Sequence, residues 1–187
     1  MLFRTRVLGA AAASLLSVLP CGLRAADIDL YAWQFSENLD PADPKAASAQ
    51  LIYGIPETDD IQVAGTCAAA SADDAVPSIT FGLDVSALQS GVETDLKFTT
   101  GTVEHTVKGR VQLAEYEEGL DGVVASLAPS DPLWTLMSQK TEFSYSVAGA
   151  SPAKASLERG RENIGKFLDA CRRYAAGATP PGEKGKP

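Results

Sequence analysis

Ser78-Ile79-Thr80-Phe81-Gly82-Leu83-Asp84-Val85 sets Ile79, Phe81, Leu83 and Val85 on alternate positions, with Ser78, Thr80, Gly82 and Asp84 between them. An extended chain sends successive side chains to opposite faces, so this period of two marks a half-buried strand. The same pattern recurs on both sides of it. Upstream, Ile61 to Cys67 alternates Ile61, Val63 and Cys67, and Gln50 to Ile55 is apolar and rich in β-formers. Pro56-Glu57-Thr58-Asp59-Asp60 separates these two runs with turn residues, which predicts a hairpin. Asp29 to Phe35 carries Leu30, Tyr31, Trp33 and Phe35 and reads as a further strand.

Downstream, Glu93 to Thr100 puts Leu96 and Phe98 on one face. Thr102 to Tyr116 alternates Val103, His105, Val107, Gly109, Val111 and Leu113. Leu120 to Leu127 and Thr141 to Val147 complete a set of about eight strands with short connections. That count predicts a mainly β fold, an antiparallel sandwich or barrel.

Two helices are expected beside the strands. Asp131-Pro132 is a capping residue followed by proline at the first helical position, and predicts a short helix over 131–139 that carries Trp134. A longer helix is expected from near Pro152 to Tyr174. Leu157, Ile164, Phe167, Leu168 and Cys171 make one stripe along it, and Gly160 and Gly165 fall inside it. The single β-rich domain is expected over 26–174. The tail 175–187, built of small residues, proline, glycine and lysine, is expected to be disordered.

The first 25 residues have another character. Arg4 and Arg6 precede an uncharged run from Val7 to Leu19, Pro20 ends it, and small residues stand at Ala25 and Ala26. This is the layout of a cleaved signal peptide, 1–25. A membrane anchor is the other reading, but a spanning helix needs about 20 apolar residues. The mature chain is therefore expected to have no transmembrane anchor. A lipoprotein reading of Cys21 fails because Pro20, not a small residue, precedes it. The protein is expected to be periplasmic or secreted.

Processing changes the arithmetic. The full chain of 187 residues carries 16 basic and 24 acidic residues, a net charge of −8. Losing Arg4, Arg6 and Arg24 leaves 13 basic against the same 24 acidic residues, a charge of −11. Such a domain disfavours nucleic acid and anionic membranes and steers cationic partners toward itself. Losing Cys21 leaves Cys67 and Cys171, which in an oxidising compartment are expected to pair. Cys171 lies on the apolar stripe of the last helix, so the bond is expected to pin that helix to the strand ending at Cys67.

Candidates for chemistry are few. His105, the only histidine, shares a strand face with Val103 and Val107. The plain reading is a half-buried histidine with a hydrogen-bond partner, and the sharper one is a catalytic base. Glu57, Asp59 and Asp60 form one acidic cluster, and Glu115, Glu117, Glu118 and Asp121 another. Neither matches a calcium-loop pattern, and no zinc, phosphate-loop or nucleophile-elbow motif occurs, so no metal and no cofactor are expected. Trp33, Tyr53 and Trp134 are weighed as core aromatics against contacts at a binding rim.

Tyr53-Gly54-Ile55-Pro56-Glu57-Thr58-Asp59-Asp60, Cys67, Asp131-Pro132-Leu133-Trp134 and Phe167-Leu168-Asp169-Ala170-Cys171 together resemble small exported proteins of Gram-negative bacteria. The resemblance implies compartment and architecture and carries no catalytic motif.

The resulting expectation is a periplasmic, non-enzymatic binding protein, an inhibitor or binder of a cationic protein or a small ligand. A lysozyme has that chemistry, although the Ser-Gly-x-x-Tyr loop of one family of lysozyme inhibitors does not occur here. Two alternatives stand beside it. One is a small hydrolase using His105 or a carboxylate pair; the other is an envelope assembly subunit that adds a strand at an exposed sheet edge.

Overall fold

The computed structural model describes residues 30–114 and 119–177. The expected signal peptide with Cys21, the acidic residues Glu115, Glu117 and Glu118, and the tail from 178 onward lie outside the described residues.

The described residues are mainly β, with nine strands in one sheet. They are β1 (Ala32–Asn38), β2 (Ser48–Gly54), β3 (Ile61–Ala68), β4 (Ser78–Gly82), β5 (Glu93–Thr100), β6 (Val103–Gln112), β7 (Gly122–Ser126), β8 (Glu142–Ser146) and β9 (Ala153–Ser156). Their order is β1-β2-β3-β4-β7-β6-β5-β8-β9, and every neighbouring pair is antiparallel. Two helices, α1 (Pro132–Gln139) and α2 (Arg161–Ala175), pack on the sheet's apolar side.

Alternation sorts the two faces. Ser36, Gln50, Thr66, Ser78 and Ser126 fall in one register row across five strands, and all are exposed. The other face carries Trp33, Tyr53, Val63, Phe81 and Val123 in a row, all buried.

The sheet curls strongly. In a flat sheet β4 and β5, with β7 and β6 between them, would lie about 14 Å apart. Yet the rings of Phe81 and Phe98 are 4.9 Å apart, edge to face. Tyr145 on β8 stacks 5.4 Å from Phe81 and donates its hydroxyl hydrogen to the Gln62 carbonyl of β3 at 3.2 Å. The two halves of the concave face thus close on one another around aromatic rings, each worth about 1.5–3 kcal/mol when buried. The outer strands meet as well. The Trp33 indole N–H donates to the Ser156 carbonyl at 2.7 Å, and the Ser156 N–H donates to the Tyr53 hydroxyl at 3.0 Å.

α2 lies against β1, β2 and β3. It buries Ile164, Phe167, Leu168, Ala170, Cys171 and Tyr174, an i, i+3, i+4, i+7 stripe. Glu162 in its first turn and Arg172 and Arg173 in its last complement the helix dipole. The stripe carries the disulfide between Cys67 of β3 and Cys171, whose Cα atoms are 5.8 Å apart. The sequence predicts this pairing, and it joins residues separated by 104 positions.

One element differs from expectation. The last helix starts at Arg161 rather than near Pro152, and Ala153–Ser156 is instead β9. Ala, Lys, Ala and Ser carry no β-branched or aromatic signal, and Leu157 mimics a helical stripe by standing seven residues before Ile164. The actual boundary is backbone. Arg159 adopts φ 62°, which a helix does not allow, and Gly160 caps the helix without a side chain. A Cβ at Gly160 would lie 2.4 Å from Cδ1 of Trp33. Close approach of the indole thus excludes a conventional Ser or Asp cap.

Two outcomes follow. Gly160→Ala should destabilise the protein by about 1–3 kcal/mol in urea unfolding, because the indole must leave its bond to Ser156. Replacing Cys67 and Cys171 together with alanine should lower stability by about 4 kcal/mol, and reducing agent should then leave that variant unchanged.

Candidate functional site

The turn after β7 brings Asp131 to His105. Nε2 of His105 lies 3.1 Å from Oδ1 of Asp131, and both side chains are 22% exposed. The same Oδ1 accepts the Leu133 backbone N–H at 2.8 Å and so caps α1. Proline at the next position completes this start signal. An imidazole beside a carboxylate is one half of a hydrolytic triad, which also needs a nucleophile on the other ring nitrogen. Among the described residues no serine, threonine or cysteine side chain hydrogen-bonds to His105. Here the pair joins β6 to the start of α1.

Trp33, Tyr53 and Trp134 are buried, at 4%, 2% and 5% exposure. Their polar atoms are used internally; the Trp134 indole N–H, for instance, donates to the Ala128 carbonyl at 3.0 Å. The structure therefore places all three in the hydrophobic core.

A different region gathers charge. Between Lys45 and Lys97 the chain carries eight acidic residues and no lysine or arginine, and none occurs between Arg110 and Lys140. The antiparallel order folds three connections from these stretches to one end of the sheet. They are the β2–β3 turn with Glu57, Asp59 and Asp60, the segment after β4 with Asp84, and the segment before β7 with Asp121.

Each of these connections is organised. In the β2–β3 turn, Thr58 donates its N–H and its hydroxyl hydrogen to the Ile55 carbonyl at 3.2 and 2.9 Å, and Glu57 sits at φ 64°. The Tyr31 hydroxyl donates to Oδ2 of Asp60 at 2.7 Å, and Gln62 donates to Oδ1 at 3.1 Å. Asp84 accepts both the hydroxyl and the N–H of Ser86, which hold its carboxyl below the usual carboxylate range. Asp121 accepts the Ala114 N–H at 2.6 Å, and its carbonyl accepts the Leu83 N–H at 3.2 Å.

Asp84 and Asp121 line one cleft of about 430 Å³, with Gln62, Leu120, Ser151 and Pro152 also on its walls. Among the described residues, no three His, Cys, Asp or Glu side chains converge closely enough to hold a metal ion. The arrangement instead offers fixed carboxylate oxygens, spaced over several loops, to an ammonium or guanidinium group. Sequence reading locates the Glu57–Asp60 turn but not the cleft, because Asp84 and Asp121 are joined only through the β4–β7 pairing.

No protein-family model, no curated protein and no solved structure matches this chain.

Two measurements probe these sites. Asp131→Ala removes the cap and the histidine partner together and should cost about 1–2 kcal/mol of stability, while Asp131→Asn, which keeps a capping oxygen, should cost less. The Tyr31 phenol is pushed up from 10.0 to about 12 by partial burial, then by its bond to Asp60. The unfolded phenol ionises first, so this contribution to stability is complete below pH 10 and is lost as pH rises toward 12. Tyr31→Phe should therefore shrink the alkaline loss of stability in that window without abolishing it, since burial also raises Tyr53 and Tyr145. An unchanged alkaline profile would contradict the Tyr31 assignment.

Proposed function

We propose that this protein is a periplasmic, non-enzymatic binding protein that takes a cationic protein partner on its acidic end. The observation that carries this reading is the end of the sheet where Glu57, Asp59, Asp60, Asp84 and Asp121 stand on connections that contain no lysine or arginine. Two kinds of support lie behind it. Long-range attraction scales with net charge, and the −11 of the chain after residue 25 supplies that. Short-range recognition needs groups fixed before the partner arrives, and the bonds from Tyr31, Thr58, Ser86 and Ala114 fix them.

The disulfide fits a protein that leaves the reducing cytosol. No helix among the described residues is long and apolar enough to cross a membrane.

A lysozyme is a suitable cationic probe, with an acidic protein of similar size as the control. Association with the lysozyme should be fast at low ionic strength and slow by about tenfold or more between 20 and 200 mM salt, roughly the range over which screening takes hold. Asp84→Lys combined with Asp121→Lys should slow it by about tenfold as well. The same reversal at Asp73 and Asp74, on the opposite end of the sheet, should change it by less than about threefold. Equal effects at both ends would show that net charge alone attracts the partner. No association with the lysozyme, or one indifferent to salt, would count against the proposal.

A further inference from the structure

A sheet edge offers unpaired N–H and C=O groups to any extended chain, and proteins usually cover it. This protein covers its outermost edge. On β1, the Trp33 carbonyl accepts the Asn163 side-chain amide of α2 at 2.7 Å, and the Trp33 indole reaches β9. β9 itself is only four residues long.

An inner strand is treated differently. β6 pairs with β5 along Val103 to Arg110, but its other side pairs with β7 only at Arg110, Val111 and Gln112. β7 then ends at Ser126, and the Leu127 N–H turns to the Pro77 carbonyl beside β4. Among the described residues, the stretch from Val103 to Val107 has no strand on that side. It is extended, and Val103 at its end is 40% exposed, one of four large hydrophobic side chains left in solvent among the described residues.

We propose that this edge joins a second copy of the same chain, two β6 strands pairing antiparallel about a two-fold axis at His105. The sequence of the edge is its own complement in that register. Val103-Glu104-His105-Thr106-Val107 reads the same at its ends from either direction, so Val103 meets the second copy's Val107 twice across the axis. That pair covers the exposed Val103. On the other face, Glu104 meets the second copy's Thr106, with Lys108 on the diagonal, two residues further along. Diagonal neighbours on one face lie about 7–8 Å apart by Cα, within reach of a long side chain. Lys108 already bonds Asp95 at 2.5 Å, so the symmetric contact builds a row of alternating charge: Asp95, Lys108 and the second copy's Glu104. Any register shifted toward Arg110 would run the second strand into β7, which limits pairing to this segment.

Sedimentation equilibrium of the full chain, purified from the cells that express it, should show a monomer–dimer equilibrium in the sub-millimolar range. Glu104→Lys, a change at an exposed side chain, should weaken it by about tenfold while circular dichroism and melting stay as in the parent. Adding Lys108→Glu to that variant should restore most of the affinity. A variant carrying Glu104→Cys and Thr106→Cys should form a covalent dimer under mild oxidation, because the two positions face each other only across the axis. A chain that remains monomeric throughout that range overturns the proposal and leaves the edge for an extended segment of another protein. A dimer indifferent to Glu104→Lys, or one that fails to cross-link, overturns it equally.

Discussion

The Cys67–Cys171 bond fastens the last helix to the third strand of the sheet, and the rest of the structure is arranged around that attachment. Cys67 stands at the end of β3, on the concave face; Cys171 stands on the buried stripe of α2. With the helix held there, Phe167 covers the sheet where Gly65 leaves room, and Tyr174 reaches Glu37 of β1 at 2.7 Å. Arg173 bonds the same Glu37 oxygen, also at 2.7 Å. The start of the helix is held too, by Asn163 on the β1 backbone and by Gly160 under the Trp33 indole. The helix covers the apolar side of the first strands, and the curl of the sheet closes the remaining aromatics on one another.

That division of labour explains where function can sit. The concave face is filled, and it consumes the side chains that chemistry would otherwise use: Trp33, Tyr53, Trp134 and Tyr145 all spend their polar atoms on backbone partners. His105 spends Nε2 on Asp131. What remains exposed lies at strand ends, along strand edges and on the polar outer face of the sheet. The connections at one end carry carboxylates and no cations, whereas ion pairs occupy β5–β6, β8–β9 and α2. Ion pairs thus lie over the body of the sheet, while the three connections at this end keep their carboxylates free of cations.

Much of this was legible in the sequence, for a physical reason. Strands such as Ser78–Gly82 and Glu93–Thr100 have one buried and one solvated face, so their period of two survives in the residue types. The disulfide was legible because only Cys67 and Cys171 remain once the expected signal peptide, with Cys21, is set aside. β9 was not, because Ala153-Lys154-Ala155-Ser156 has no β-forming residue and is held by its pairing with β8 rather than by its own preference. The partner of His105 lies 26 residues away, and the juxtaposition of Asp84 with Asp121 depends on the β4–β7 register. Long-range pairing of this kind leaves no mark in local composition. The Glu57–Asp60 cluster could be seen as a turn, but not as part of a larger acidic surface.

The proposed recognition thus lies at the acidic end and not at the histidine. An amide-resolved NMR titration with a cationic protein at low ionic strength separates the two directly. Shifts are expected to concentrate in 55–62, 83–86 and 119–122, with residues 103–107 and 130–133 unmoved. Shifts centred on His105 and Asp131, with the acidic connections silent, would contradict the proposal.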